Sequence, residues 1–182
     1  VVQMKERPSE PSKPNQIWEM DMTKTYLNGY GWLYIMAIID RYDRSIVGYE
    51  INSRARATEW LKAFDKAVKN RFPNGTRDQG LILQVDNGCQ PTSNKFIKEM
   101  AVCDVTLLYS AYATPEHNAH IERFFRTLKE EEIYYNLYET YNEAITSIEA
   151  YIDFYNNNRI HSALGYLTPA EYYQQSILHN AA

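Results

Sequence analysis

The apolar run GWLYIMAIID (residues 31–40) and the segment RSIVGYEI (44–51), separated by a short polar turn, decide the fold. Apolar runs bounded by turn residues are typical of β-strands. Just upstream, IWEMDMT (17–23) alternates loosely between apolar and polar residues and predicts a further strand. Three sequential strands joined by tight turns indicate an antiparallel meander.

After residue 51 the hydrophobic period becomes helical. An apolar stripe predicts a helix over 58–72 that ends at Pro-Asn-Gly, and a buried-looking strand follows at 81–85. The remaining predicted elements are a helix at 93–101, a strand at 104–110, a helix through HIERFFRTLKEEEI (120–133), a helix at 141–155 and a capped helix from TPAE (168–171). Strands that alternate with helices after a meander favour an α/β fold with a mixed sheet covered on both faces.

Composition and charge restrict the function. The 182 residues carry 19 Lys and Arg against 23 Asp and Glu, and this net charge of −4 is the wrong sign for binding through a broad basic face. No stretch is long and apolar enough to span a bilayer, so we expect a cytoplasmic protein without a membrane partner. Two cysteines are too few for a disulfide framework and are expected to be reduced.

The N-terminal segment differs in composition from the rest. Residues 1–16 contain three prolines among polar residues, which predicts a flexible linker. A linker implies a further region on its other side, so we expect the chain to be part of a longer protein. The core would then span 17–182, with a C-terminal helical part at 138–182.

Three acidic residues stand where periodicity would not place them. Asp21 interrupts the first strand, Asp86 ends the fourth, and Glu122 begins the polar face of a helix. Strand ends near a change of strand order form the usual ligand crevice of an open sheet. Carboxylates brought together there repel one another unless a cation neutralises them, and such oxygen ligands suit Mg²⁺ or Mn²⁺. Two such ions about 3.5 to 4 Å apart can activate an attacking oxygen and stabilise a leaving one at phosphorus.

Each carboxylate also has a structural explanation. Asp86 precedes Asn-Gly and fits a turn residue equally well. Glu122 alone would be read as a solvated helix residue. Asp21 is harder to explain structurally, because an acid flanked by Trp18, Met20 and Met22 in a central strand lacks an obvious partner.

The helix around Glu122 has two adjacent faces. At 100° per residue, Glu122, Arg126 and Lys129 fall within about 60° of one another, beside an apolar stripe. The two cations are candidates for phosphate contacts next to metal bound at Glu122. The alternative is an i, i+4 Glu–Arg pair that stabilises the helix by a few tenths of a kcal/mol.

These residues carry a family resemblance. The 35 residues between Asp86 and Glu122 (122 minus 86, minus one) resemble the DDE signature of retroviral-type integrases and bacterial insertion-sequence transposases. Four further segments are similar to that family: WEMDMT around Asp21, VDNGCQPTSNKF, HNAHIERFFRTLKEE and YNNNRIHSALGYLTPAEYY. Together they cover residues 17 to about 173, nearly the whole chain.

The resemblance implies a ribonuclease H-like fold, a mixed five-stranded sheet flanked by helices with C-terminal helices beyond it. It implies that Asp21, Asp86 and Glu122 are catalytic and bind two Mg²⁺ ions, and that water and then a freed 3′-hydroxyl attack DNA. It implies a shaping or DNA-binding role for a second set of residues: Asn87, Gly88, Asn118, Arg126 and Lys129.

The resemblance also implies features outside the site. A separate upstream DNA-binding region would precede the linker, and the loop from Ser110 to Glu116 would order on DNA. The partners would be the element's DNA ends and target DNA. Because joining two ends requires two active sites, at least a dimer is expected.

Three positions depart from the family pattern. Pro91 stands where an aromatic residue is usual, His117 where an acid is common, and Val85 where Ser or Thr is common. These departures put local shape and DNA preference in doubt, not the triad.

Two other functions stay open at this point. A nuclease of the same fold would only hydrolyse DNA and never join it, and a non-catalytic DNA-binding or assembly module would keep the fold without the chemistry. A zinc site at His117 and His120 with Cys89 or Cys103 fits no standard spacing.

Several remaining features have structural as well as functional interpretations. Arg159 and His161 could contact DNA or a partner, or could tie a helix end to the sheet. The tyrosines between residues 134 and 155 indicate packing or a protein interface before base stacking. The charged residues at 40–44 are predicted to be turn and surface residues.

Overall fold

A computed structural model describes residues 9–86, 88, 90–109 and 118–180 of the chain. The strands are β1 (Ile17–Leu27), β2 (Gly31–Asp40), β3 (Ile46–Asn52), β4 (Ile82–Val85) and β5 (Thr106–Tyr109). The helices are α1 (Ala57–Arg71), α2 (Asn94–Val102), α3 (Ala119–Leu128), α4 (Tyr141–Asn157) and α5 (Pro169–Asn180). A π-helical turn (Lys129–Ile133) continues α3, and a 3₁₀ turn (Ser162–Leu164) precedes α5.

The five strands form one mixed sheet in the order β3-β2-β1-β4-β5. β1 pairs with β2, and β2 with β3, in antiparallel fashion. β1 pairs with β4, and β4 with β5, in parallel fashion. The predicted meander and mixed sheet are confirmed. The strand order changes direction between β1 and β4, which is where open sheets place their ligand crevice.

Helices cover both faces of the sheet and divide the core in two. On one face α1 and α2 pack against β-strand residues such as Met36, Ile38 and Leu83. On the other face α3 and α4 pack against residues such as Ile35 and Ala37. Because successive residues of β2 enter different cores, the strand reads as a continuous apolar run instead of an alternating one.

Gly48 on β3 lets α1 lie directly against the sheet. A Cβ at this position would lie 2.5 Å from the carbonyl oxygen of Ala63 and 2.6 Å from the Cβ of Ala67. Both alanines are fully buried. Small residues on the strand and on the helix therefore set the distance between them.

The prediction that the charged residues at 40–44 lie on the surface is wrong for three of them, which are buried at the turn between β2 and β3. Asp40, Arg41 and Asp43 are at most 1% exposed. Asp43 pairs with Arg71 at the end of α1 over 3.0 Å, and Asp40 accepts a hydrogen bond from the Asn15 amide over 2.6 Å. Chain segments distant in sequence cover the turn, which its local polarity could not indicate.

The C-terminal part is helical, as predicted. The capping box at the start of α5 is confirmed, because the Glu171 amide donates to Thr168 Oγ1 over 3.2 Å and the Thr168 amide donates to Glu171 Oε2 over 2.8 Å. Within the described ranges, no helix combines the length and apolar character that crossing a bilayer requires.

Candidate active site

Asp21 lies in the middle of β1 and points away from the α1 side of the sheet. Its strand neighbours Trp18 and Met20 enter the core beneath α1 and α2. Asp21 is paired across the ladder with Ala37, which belongs to the core on the α3 side. The carboxylate therefore faces the crevice beside α3, where its Oδ1 accepts a hydrogen bond of 2.7 Å from the Met22 amide.

Asp86 immediately follows β4 and lies beside Asp21. The parallel register pairs Glu19 of β1 with Gln84 of β4, and the two aspartates each come two residues later. Asp86 Oδ1 accepts a hydrogen bond of 3.0 Å from the Gly88 amide. A Cβ on Gly88 would lie 2.9 Å from that same oxygen, so the Asp86 carboxylate would have to shift to admit a side chain at position 88. The structure thus places both a turn and a carboxylate at this strand end.

Glu122 is carried into the crevice by α3. Ile121, Phe124, Phe125 and Leu128 are buried against the sheet and fix the helix, while Glu122 is exposed in its first turn. Asn118, the N-cap residue, is 6% exposed, and its Oδ1 accepts a hydrogen bond of 3.2 Å from Gln84. Asn118 therefore lies between β4 and α3, and its role in shaping the site stays a prediction.

Asp21 lies within electrostatic range of both Asp86 and Glu122. The pKa of Asp21 rises to about 6, chiefly because burial removes water from the charged form. Repulsion from Asp86, Glu122 and Glu19 raises this pKa further, against the lowering effect of the Met22 amide. Two acids that are distant in sequence thus lie near enough to Asp21 to repel its charge, and Asp21 has no cationic partner among the described residues.

The triad is not closed into a chelating arrangement. Among the residues that the structure describes, no three His, Cys, Asp or Glu side chains are grouped as a metal site. Like charges keep such groups apart, and both aspartates instead accept hydrogen bonds from neighbouring backbone amides. Cys103 is a free, half-buried thiol, while His117 and Cys89 of the zinc alternative lie outside the described residues.

Arg126 and Lys129 extend the polar side of α3 beyond Glu122. Arg126 is exposed in the last turn of α3, and Lys129 is the first residue of the π-helical turn that follows. Neither cation forms an ion pair with a carboxylate in the described part of the chain. The intrahelical Glu122–Arg126 pair, the alternative explanation for this spacing, is therefore not formed.

Other residues singled out in the sequence have structural partners or fall outside the description. Arg159 binds Glu131 through Nε over 2.9 Å and Nη2 over 2.6 Å, and His161 packs edge-on against Tyr155. These contacts join the chain after α4 to the π-helical turn and to α4 itself, so they do not form the predicted tie between this helix end and the sheet. Asn87 and the loop from Ser110 to Glu116 lie outside the described residues.

Two of the three departures from the family pattern, Val85 and Pro91, lie in the described part of the chain. Val85 is fully buried at the end of β4. The carbonyl of Pro91 accepts a hydrogen bond of 2.9 Å from the Tyr109 hydroxyl, which ties the turn after Asp86 to β5.

Sequence reasoning missed three buried polar residues beneath the triad: Glu19, Arg41 and Gln84. A signal was available for two of them, because Glu19 and Gln84 are polar residues inside apolar strands, each two positions before an aspartate. Arg41 had none, since it sits in a turn that reads as exposed.

Comparison with known proteins agrees with this arrangement. A family described as the integrase core domain matches residues 11–118, and a second family with the same description matches residues 103–169. The transposase for insertion sequence element IS904 of Lactococcus lactis is 34% identical over 161 residues, which cover 87% of this chain and 61% of that protein. The putative transposase InsK for insertion sequence element IS150 of Escherichia coli K12 is 27% identical over 173 residues, covering 95% and 59% respectively.

The fold is that of solved integrase cores. The HTLV-2 integrase catalytic core domain, solved in complex with magnesium in a dimeric form, superposes with a TM-score of 0.68 at 16% identity and covers 89% of this chain and 98% of that one. The chain spans about three fifths of the length of each of these two transposases. On the extent of the family match and on its similarity to these relatives, the chain belongs to the integrase core domain family.

Proposed function

We propose that this core carries out metal-dependent DNA strand cleavage and strand transfer as the catalytic part of an insertion-sequence transposase, a polynucleotidyl transferase. The observation that carries the proposal is that the parallel register of β1 and β4 places Asp86 beside Asp21 while α3 brings Glu122 close enough to repel the Asp21 carboxylate, whose pKa is raised to about 6. The relatives named as transposases support the reaction class, and the solved integrase cores support the fold.

The residues fit divalent metal of the Mg²⁺ or Mn²⁺ type. Asp21, Asp86 and Glu122 offer only carboxylate oxygens, the ligands that these hard cations prefer. A cation bound there would relieve the repulsion that the three acids exert on one another. Two divalent ions held by the triad would supply activation of the attacking oxygen and stabilisation of the leaving oxygen.

The remaining residues of the site bind and orient DNA in this proposal. Arg126 and Lys129, which have no carboxylate partner in the described structure, neutralise backbone phosphates beside Glu122. Asn118, held by Gln84, and Asn87 position the strand next to the carboxylates.

The active assembly is at least a dimer, because two DNA ends must be joined in one event. The HTLV-2 core solved in a dimeric form supports this state. Residues 1–16 link the core, residues 17–182, to a separate DNA-binding region, and the protein acts on DNA in the bacterial cytoplasm.

Replacing Asp86 by Asn tests the proposal. Cleavage and joining of DNA that carries the element's terminal sequences should fall on the order of 10³-fold in Mg²⁺, because several kcal/mol of transition-state stabilisation are lost. The matched control is Asp65→Asn, which changes an exposed aspartate on α1 whose partner is Lys69. The assay measures hydrolysed and joined products separately, with the full-length protein.

Undiminished activity of the Asp86→Asn variant would refute the proposal. Hydrolysis without any joined product from the wild-type protein would support the nuclease alternative.

A further inference from the structure

Each of the three carboxylates has a polar residue two positions before it, and these residues meet beneath the site. Glu19 precedes Asp21, Gln84 precedes Asp86, and His120 precedes Glu122. The side chains of Glu19 and Gln84 are almost completely buried, at 0% and 1% exposure. A spacing of two keeps residues on the same face of a strand, so Glu19 and Asp21 project toward the same helix.

Glu19 binds the beginning of α3. Its Oε2 accepts hydrogen bonds from the amides of His120 and Ile121 over 3.1 and 3.0 Å. Its Oε1 lies 2.8 Å from His120 Nδ1. The first amides of a helix lack partners within the helix, and a negative charge there is favoured by the helix dipole. Asn118, the residue at the N-cap position, makes no capping bond through its side chain. A residue of β1 about a hundred positions earlier therefore caps α3, one residue before Glu122.

Arg41 and Gln84 connect this cap to β4. Arg41 Nε lies 3.4 Å from Glu19 Oε1, and Arg41 Nη1 donates to Gln84 Oε1 over 3.4 Å. Gln84 Nε2 in turn donates to Asn118 Oδ1 over 3.2 Å. The guanidinium is 1% exposed, and its Nη2 also binds Glu10 over 2.8 Å. One network thus joins β1, β4 and the beginning of α3, the three segments that carry the triad.

The donors around Glu19 explain why this position holds a carboxylate. Two backbone amides donate to its Oε2, and His120 Nδ1 and the Arg41 guanidinium lie 2.8 and 3.4 Å from its Oε1, so a side chain with two acceptor oxygens fits this position. A glutamine would keep one acceptor oxygen and turn the other into a donor that faces His120 or Arg41. Buried ion pairs contribute little net stability, because desolvation offsets most of their attraction. Here the larger effect of these buried contacts is geometric, because they fix one arrangement of β1, β4 and the beginning of α3.

We propose that Glu19 is a positioning residue that sets Glu122 opposite Asp21 and Asp86, with Arg41 and Gln84 holding Glu19 in place. This inference rests on the proposed function, since it assigns Glu19 a role in aligning the metal ligands. Residues that orient metal ligands typically change metal affinity or activity by about 10- to 100-fold when replaced.

The test compares Glu19→Gln with Glu59→Gln in the full-length protein. Glu59 is a matched control because it is 3% exposed and caps its own helix, α1, where its Oε2 accepts from the Arg56 amide over 3.0 Å. α1 packs on the opposite face of the sheet and carries no residue of the proposed site. Three measurements are made well below the melting temperature of each variant. A metal titration gives the dissociation constant for Mn²⁺, steady-state kinetics give kcat and KM for DNA cleavage, and hydrogen exchange is followed at the amides of residues 120 and 121.

Glu19→Gln should weaken Mn²⁺ binding and lower kcat by about 10-fold or more, with KM for DNA little changed and amide exchange at His120 and Ile121 accelerated. Glu59→Gln should leave all three unchanged, even where it lowers the melting temperature by a similar amount.

Mn²⁺ affinity and kcat of Glu19→Gln equal to those of the wild type would overturn the positioning role and leave the proposed function intact. Equal losses in both variants would also overturn it, because they would reflect general destabilisation. A wild-type protein that neither binds Mn²⁺ nor cleaves DNA would instead refute the proposed function itself, and the positioning role with it.

Discussion

At the scale of single residues, Asp21 is the residue of the candidate site at which function costs folding stability. Burial and three neighbouring acids raise its pKa from 3.8 to about 6. A group whose pKa is raised on folding destabilises the folded state once it ionises, and a tenfold change in its acid dissociation constant corresponds to about 1.4 kcal/mol. Once ionised, Asp21 should therefore lower the free energy of unfolding of the metal-free protein. This is one of the residues proposed to bind metal.

Replacing Asp21 by Asn should stabilise the metal-free protein by about 1–3 kcal/mol at pH 7 while abolishing DNA cleavage. The folded protein holds the proton of Asp21 more tightly than the unfolded chain does. The stability contributed by the protonated form is therefore complete below pH 4 and is lost as the pH rises through about 6. The gain from the substitution should accordingly be small at pH 4 and reach its full size above pH 6.

Denaturant unfolding in the presence of a chelator, at several pH values, measures this gain. The difference from wild type is the relevant quantity, because the pKa of Asp40 is also raised, to about 7, mainly by burial. Asp65→Asn, at an exposed site, should change stability by less than about 0.5 kcal/mol. A destabilised Asp21→Asn protein would contradict this explanation of the raised pKa.

At the scale of elements, local pattern predicted most of the parts. The change from strand to helical periodicity located β1–β5 and α1–α5, and the position of Asp86 at a strand end followed from the apolar run before it. The capping of α3 by Glu19 could not be read in this way, because the two groups are about a hundred residues apart in sequence. Hydrogen bonds across such separations depend on the sheet register, which no local pattern specifies.

The packing of α1 on β3 predicts a substitution that changes the stability of the fold but leaves metal binding at the candidate site unchanged. Gly48→Ala should destabilise the protein by about 1–3 kcal/mol, because the new methyl group would overlap the Ala63 carbonyl and Ala67. Since α1 lies on the face opposite α3, the affinity for Mn²⁺ should stay within about twofold of wild type. Unfolding by denaturant and metal titration of the same sample check both halves. Unchanged stability would show that the helix and strand are not held by this contact.

At the scale of the whole molecule, a net charge of −4 must be reconciled with DNA as substrate. Asp21 lies beside Asp86 and Glu122, and Arg126 and Lys129 follow Glu122 along the same helix and its π-helical continuation. The sequence allowed the mixed sheet to be predicted correctly, whereas metal binding by the three carboxylates and DNA binding by Arg126 and Lys129 stay predictions. It did not reveal the burial of Asp40 and Asp43, since their partners are Asn15 and Arg71 of α1, which only the complete fold brings close to this turn.

Arg126→Gln should weaken DNA binding and reduce the slope of log Kd against log salt concentration by about 0.9, the value for one lost phosphate contact on duplex DNA. The control is Lys69→Gln on α1, which removes a cation of the same charge on the other side of the sheet, where Lys69 pairs with Asp65. Fluorescence anisotropy of labelled DNA from low to moderate salt measures both slopes. Identical salt slopes of log Kd for the two variants would show that Arg126 does not contact DNA phosphates.

The central claim is that three carboxylates distant in sequence share metal. Anomalous diffraction from crystals of the protein grown with Mn²⁺ tests it most directly. We expect anomalous density between Asp21, Asp86 and Glu122, with carboxylate oxygens of all three as ligands. Density elsewhere, or a Mn²⁺ ion bound without one of these three residues, would contradict it.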